Sequence, residues 1–222
     1  MNERYIRQIM IPEIGEAGQE KLKNAKVLIV GIGGLGSPIS LYLTAAGVGQ
    51  IGLIDDDIVS KSNLQRQILY TEAEIGQSKV ECACRRLSAL NSSTRFETYP
   101  NRFTPDNANR LVSAYDIIVD GCDNAATRYL IDDVCSRFKK PYVYGSISEF
   151  RGQVSVFNYR GGSRYSDLYP RPEVIPPARP GGVIGYMEAA EVIKIITGYG
   201  EVLSGKLFLL DTQTLQHEII EI

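Results

Sequence analysis

Histidine is nearly missing from this 222-residue sequence, with His217 as its single representative. Histidine-rich metal centres are thereby excluded, and a Ser-His-Asp mechanism would have to rest on that one residue. Cysteine is scarce as well. The four present, Cys82, Cys84, Cys122 and Cys135, include no C-x-x-C pair, so neither a disulfide framework nor a thiolate zinc site is expected. That usage points to a reducing, cytoplasmic setting. No apolar run approaches the roughly 18 residues of a membrane-spanning helix. The opening MNERYIRQIM has neither the apolar stretch nor the small-residue cleavage site of a secretory signal. Excess charge of one sign is also lacking: 24 Lys and Arg face 26 Asp and Glu, for a net charge of −2. Neither nucleic acid nor an anionic membrane is therefore an expected partner. Apolar residues are plentiful at 44%, with 23% charged, which excludes disorder and fibres and leaves a soluble globular chain long enough for a sizeable core.

The apolar pattern predicts strands at Lys26 to Val30, Ile51 to Ile54, Phe96 to Tyr99, Ile117 to Asp120 and Tyr142 to Tyr144. Between them, spacing of three and four predicts helices at Ser37 to Ala46, Ser78 to Leu90, Pro105 to Ser113 and Ala125 to Phe138. The polar stretch Val59 to Gln77 is too irregular to be one helix. Strands alternating with helices imply an α/β fold: a Rossmann-like, mainly parallel sheet with helices on both faces. After Gly152 the pattern changes. A strand is expected at Gln153 to Tyr159, then a Gly-, Pro- and Arg-rich irregular stretch from Gly161 to Gly182 and a helix from Ile184 to Thr197. Strands Lys206 to Leu210 and Leu215 to Ile222 flank the turn Asp211-Thr-Gln-Thr214, an antiparallel C-terminal extension. One domain is expected, with an N-terminal arm (1–24), a nucleotide-binding part (25–150) and an antiparallel part (151–222).

Three features carry chemistry. Gly31-Ile-Gly33-Gly34-Leu-Gly36 follows a strand and opens a helix, the arrangement that lets backbone amides and a helix N-terminus approach phosphate. Asp55 lies 19 residues beyond Gly36, at the end of the next strand, where a ribose hydroxyl would bind. The motif alone leaves a dinucleotide and ATP both open. Arg66, within Asn63-Leu-Gln-Arg66-Gln67, and Lys79, opening the next helix, suit a polyphosphate, or else are solvated surface cations. Asp123 follows the strand ending at Asp120 and should face the same crevice. It reads either as a Mg²⁺ ligand or, with Asn124, as a cap for the following helix. Cys82, Cys84 and Cys135 fall in helical patterns as packing residues, and Cys122 sits beside Asp123.

Six motifs occur together: Arg4-Tyr-Ile-Arg7-Gln8, Gly31 to Gly36, Asp55-x-Asp57, Ser62-Asn-Leu-Gln-Arg-Gln67, Gly76-Gln-Ser-Lys79 and Cys122-Asp-Asn-x-Ala-Thr-Arg128. In this order and spacing the chain resembles the ThiF/MoeB/HesA adenylyltransferases, relatives of the ubiquitin-activating enzymes. The resemblance implies binding of MgATP and adenylation of the C-terminal Gly-Gly carboxylate of a small ubiquitin-like sulfur-carrier protein, with release of pyrophosphate. It implies that Gly31, Gly33, Gly34 and Gly36 face phosphate and Asp55 the ribose. Asn63, Arg66 and Lys79 would hold the polyphosphate and Asp123 the Mg²⁺, with Asp57, Gln67 and Asn124 lining the ATP site. Arg7 would reach the ATP site of a second copy, which implies a homodimer. An ionised carboxylate needs no general base, so the missing histidines are no obstacle.

Two departures stand out. Many relatives carry two C-x-x-C pairs for zinc; here Arg164-Tyr-Ser-Asp167 replaces the first, and the second is absent, so zinc is not expected. The stretch Pro170 to Gly182, where relatives have a longer, cysteine-containing crossover loop, holds no cysteine. Two other readings compete: an NAD-dependent oxidoreductase, which would use the same glycines and Asp55, and the inactive partner of a heterodimeric activating enzyme, which would be expected to have lost Arg66, Lys79 and Asp123.

Overall fold

The computed structural model describes residues 3–169 and 182–222. A 3₁₀ turn (Glu3–Tyr5) leads into α1 (Ile6–Ile9) and α2 (Gly15–Asn24). Then come β1 (Lys26–Val30), α3 (Gly36–Ala46), β2 (Gln50–Ile54), α4 (Lys79–Leu90), β3 (Arg95–Tyr99), α5 (Pro105–Ala114), β4 (Ile117–Asp120), α6 (Ala125–Phe138) and β5 (Tyr142–Ser148). The remainder is β6 (Arg151–Phe157), α7 (Tyr165–Leu168), α8 (Gly182–Thr197), β7 (Lys206–Asp211) and β8 (His217–Glu221).

All eight strands join one sheet in the order β3-β2-β1-β4-β5-β6-β7-β8. The first five in that order run parallel, with Val27 between Ile51 and Ile117. The last three add on antiparallel. Burial on both faces explains why β1, β2 and β4 read as unbroken apolar runs rather than alternating ones. Val27, Ile29, Leu53, Val119 and Val143 face α2, α3, α4 and α8. Leu28, Val30, Ile118, Tyr142 and Tyr144 face α5, α6 and α7. The chain leaves β1 for β2 and β3 and returns to β4 on β1's other side, so a crevice opens between β1 and β4 at their carboxyl ends. None of the described helices is long and apolar enough to cross a membrane.

Several boundaries differ from the sequence expectation. β5 continues past Tyr144 to Ser148 and β6 starts at Arg151 and ends at Phe157, so a two-residue turn, Glu149-Phe150, joins them. Glu149 adopts φ 53° there, a turn conformation usually announced by Gly or Asn and so unreadable from Glu. The expected irregular stretch from Gly161 contains one helical turn, α7, whose Tyr165 is buried against Tyr129, Tyr144 and Phe157. Arg164 holds that turn by ion pairs to Asp132 and Asp133, 2.9 Å each. α8 begins at Gly182, two residues early, and β8 starts at His217 rather than Leu215. The cysteine-free loop noted in the sequence falls almost wholly at 170–181, outside the described residues.

Candidate functional site

The glycine turn is fixed from three sides. Gly31 N–H donates to the Ile54 carbonyl at 2.8 Å, Ile32 N–H to Asp55 Oδ2 at 2.7 Å, and Tyr70 Oη to the Ile32 carbonyl at 2.6 Å. Gly31 has φ +92°, and a β-carbon there would lie 2.6 Å from the Gly121 carbonyl oxygen. A β-carbon on Gly121 would in turn approach the Gly31 oxygen to 2.1 Å, as would one on Gly36. The β1 and β4 turns therefore touch backbone to backbone, with α3 starting behind them. Among the described residues, no hydrogen bond occupies the N–H groups of Gly33 and Gly34.

These turns wall a cavity of about 940 Å³. Gly31, Gly33, Gly34, Asp55, Asp57, Asn63, Arg66, Gln67, Lys79, Asp123 and Asn124 all line it. Gly36 does not, because its place is the helix start beneath the turn. Lys79 is no surface cation: it is buried and its Nζ meets Asp57 Oδ2 at 2.8 Å. Arg66 lies over Gly34, with its Cδ 3.5 Å from where a Gly34 β-carbon would be. Asp55 accepts from Ile32 and Asp57 N–H groups, one on each oxygen. Burial raises its carboxyl above the ordinary value, a shift that Lys79 and the two backbone donors oppose. The carboxylate oxygens of Asp55, Asp56 and Asp57 lie within 4.8 Å of one another.

The two readings of the Asp123-Asn124 pair separate here. Asn124 is the cap of α6, its Oδ1 accepting from Thr127 N–H at 2.9 Å. Asp123 is left as an exposed carboxylate on the cavity wall. Cys122 lines the cavity too, but desolvation and the nearby Asp120 push its thiol well up, away from a thiolate nucleophile. Below this turn Asp120 and Arg128 form a buried ion pair, Nε to Oδ2 at 2.9 Å. Glu188 of α8 abuts Gly145 of β5 from the other face of the sheet and is fully buried. Neither of its oxygens has a hydrogen-bond partner among the described residues. Burial, reinforced by Asp120 and opposed by Arg128, raises its carboxyl well above the usual range.

Arg7 is not brought to this cavity. It is exposed on α1, and its arm is fastened at the opposite edge of the sheet. Tyr5 is buried beside Gly47 and its Oη accepts from Asn91 at 2.8 Å. Arg4 donates to the Leu90 carbonyl and Gln8 to the Ala46 carbonyl, both at helix C-termini. The sequence reading also missed a wall. Asn101, Arg102, Phe103 and Thr104, between β3 and α5, and Pro105, which opens α5, line the cavity, with Arg102 paired to Asp56 at 3.2 Å. The rule that ligands gather at strand carboxyl ends, applied to β1, β2 and β4, selects this segment as well once β3 is paired beside β2.

A family model described as "ThiF family" matches residues 5–222. The chain is 45% identical to "Probable adenylyltransferase/sulfurtransferase MoeZ" of Mycobacterium tuberculosis, over 99% of its own length and 59% of that protein's. It therefore spans about three fifths of the MoeZ relatives it matches. It is 43% identical to "Sulfur carrier protein adenylyltransferase" of Thermus thermophilus, over 94% of this chain and 83% of that one. Among solved structures, E. coli MccB with ATP superposes with a TM-score of 0.84 at 26% identity, covering 100% of this chain and 72% of MccB. Family model, relatives and shared architecture agree, and the chain belongs to the ThiF family.

Proposed function

We propose that this chain binds MgATP in the cavity and transfers AMP to the C-terminal Gly-Gly carboxylate of a small ubiquitin-like sulfur-carrier protein in the cytoplasm. The observation that carries this reading is the grouping of a buried Lys79, Arg66 and an uncommitted Asp123 around one glycine turn. The residues present fit the nucleotide, since Gly33 and Gly34 line the cavity and their N–H groups have no internal partner among the described residues. They also fit a hard divalent ion, because capping falls to Asn124 and Asp123 offers a free oxygen ligand. Bound there, Mg²⁺ supplies charge neutralisation to the phosphates.

In this mechanism a carrier carboxylate oxygen forms a bond to the α-phosphorus. The bond from that phosphorus to the β-bridging oxygen breaks, and its electron pair leaves with pyrophosphate. No proton moves, so no general base is required. Lys79 and Arg66 neutralise the phosphate chain, and Asp55 accepts from the ribose. Arg7 is proposed to complete the site of a second copy in a homodimer. Its position at the far edge of its own sheet favours that over a contact within one chain. The test is ATP–pyrophosphate exchange with a carrier bearing a free Gly-Gly terminus. Exchange that needs both Mg²⁺ and that terminus is expected; exchange indifferent to the carrier's last residues would overturn the proposal.

A further inference from the structure

β4 and β5 pair only at Ile118 with Tyr142 and Val119 with Val143. Beyond Val119 the two strands part, β5 running on to Ser148 while β4 ends at Asp120. Arg128, 2% exposed, fills the gap from the first turn of α6. Its Nε donates to Asp120 Oδ2 at 2.9 Å, and its Nη2 reaches the carbonyls of Gly145 at 3.3 Å and Cys122 at 3.4 Å. Asp120 Oδ1 takes the Cys122 N–H at 2.8 Å, and Oδ2 also accepts from Tyr142 Oη at 3.0 Å. The guanidinium lies 5.2 Å from the Tyr144 ring centroid.

Both ends of residue 122 are thus gripped by one buried ion pair: its N–H by the acid and its C=O by the base. The next residue is Asp123. The turn so held is the one whose Gly121 backbone rests on Gly31. A buried ion pair is weak evidence for stability, since desolvation offsets much of its attraction. A planar fork that meets three separate acceptors does fix geometry.

We propose that Arg128, acting through Asp120, is a positioning residue that sets the Asp123 carboxylate at a fixed distance from the glycine turn. The inference rests on the reading of Asp123 as a metal ligand. Lysine at 128 keeps the charge opposite Asp120 but has no fork to span Cys122 and Gly145. Losing a group that orients a metal ligand typically weakens metal binding by about 10–100-fold, and that loss is expected for Arg128→Lys in a Mn²⁺ titration with ATP present. Amide exchange across 121–124 should quicken in the same variant while α6 stays protected. Asp123→Asn is titrated beside it. If Asp123→Asn weakens Mn²⁺ binding and a folded Arg128→Lys does not, the positioning role is overturned. If Asp123→Asn has no effect, the metal reading falls, and amide exchange in Arg128→Lys alone decides whether the clamp exists. Where Arg128→Lys fails to fold, Tyr142→Phe removes one bond to Asp120 and should loosen the same turn to a smaller degree; unchanged exchange in it would overturn the proposal.

Discussion

The two edges of the parallel sheet use their polar groups in opposite ways. At the amino edge Asn91 donates to Tyr5 and the Thr44 carbonyl, Gln19 to the Ala46 carbonyl, and Thr94 to the Val48 carbonyl. Asn91, Gln19 and Thr94 are buried, and each gives a hydrogen bond to a backbone carbonyl in the last turn of α3 or just beyond it. At the carboxyl edge Asp55, Asp123, Arg66 and Lys79 border a cavity, and the Gly33 and Gly34 N–H groups of the turn between them have no partner among the described residues. A saturated edge closes a fold. An unsaturated one is built to be completed by something else, and polarity alone does not tell the two apart.

The largest effect should fall on the open edge. Asp123→Ala is expected to lower pyrophosphate exchange by at least about a hundredfold, the scale of one strong electrostatic contact, with an unchanged melting temperature. Near-normal exchange would break the distinction between the edges. Next, if the proposed homodimer forms, its Arg7→Ala and Asp123→Ala versions should each be nearly inactive. After subunit exchange at equal amounts, about half the dimers are hybrids, each with one intact site, which returns about a quarter of wild-type activity. No recovery, with exchange demonstrated by mass spectrometry, would remove Arg7 from the partner's site and leave the amino edge purely structural.

Glu188 sharpens the contrast differently, being buried without a hydrogen-bond partner among the described residues. Folding holds its proton, whereas the unfolded chain releases it near the ordinary glutamate value. Wild-type stability should therefore fall as pH rises above that value toward the folded one, by up to about 1.4 kcal/mol per pH unit. Glu188→Gln, neutral throughout, should flatten that slope in melting curves from pH 5 to 8; identical slopes would mean that the carboxyl ionises in place. The smallest effect is expected at the closed edge. Asn91→Ala removes two donated bonds and should cost about 1–3 kcal/mol in urea unfolding, and a change below a few tenths would show that the arm is held without Asn91, by Tyr5 packing and the Arg4 and Gln8 bonds.

Most of the parallel half was legible because apolar runs and glycine turns are local signals. Lys26 to Val30 and Ala125 to Phe138 stand where the pattern put them. α2 was not legible, because the face it buries is Gly18, Gln19 and Leu22: one apolar residue, one glycine and one amide make no stripe. The glycine turn and the acids after β2 and β4 could be read from spacing, while Arg102 to Pro105 could not be weighed without knowing which strand β3 joins. Arg128 stood in plain sight at the end of a motif, yet its burial depends on β4 and β5 parting, a fact of register that no single segment contains. Glu188 carries no local signal for the same reason, since its burial requires Gly145 to lie opposite it.

The contact between the turns after β1 and β4 has a consequence for how this chain can vary. What a side chain at position 31 or 121 would strike is carbonyl backbone, and backbone cannot be trimmed by a second substitution. Positions ninety residues apart thus behave as one mutational unit without suppressors among neighbouring side chains. The losses from alanine at each should not add, because the second enters turns that the first has already forced apart.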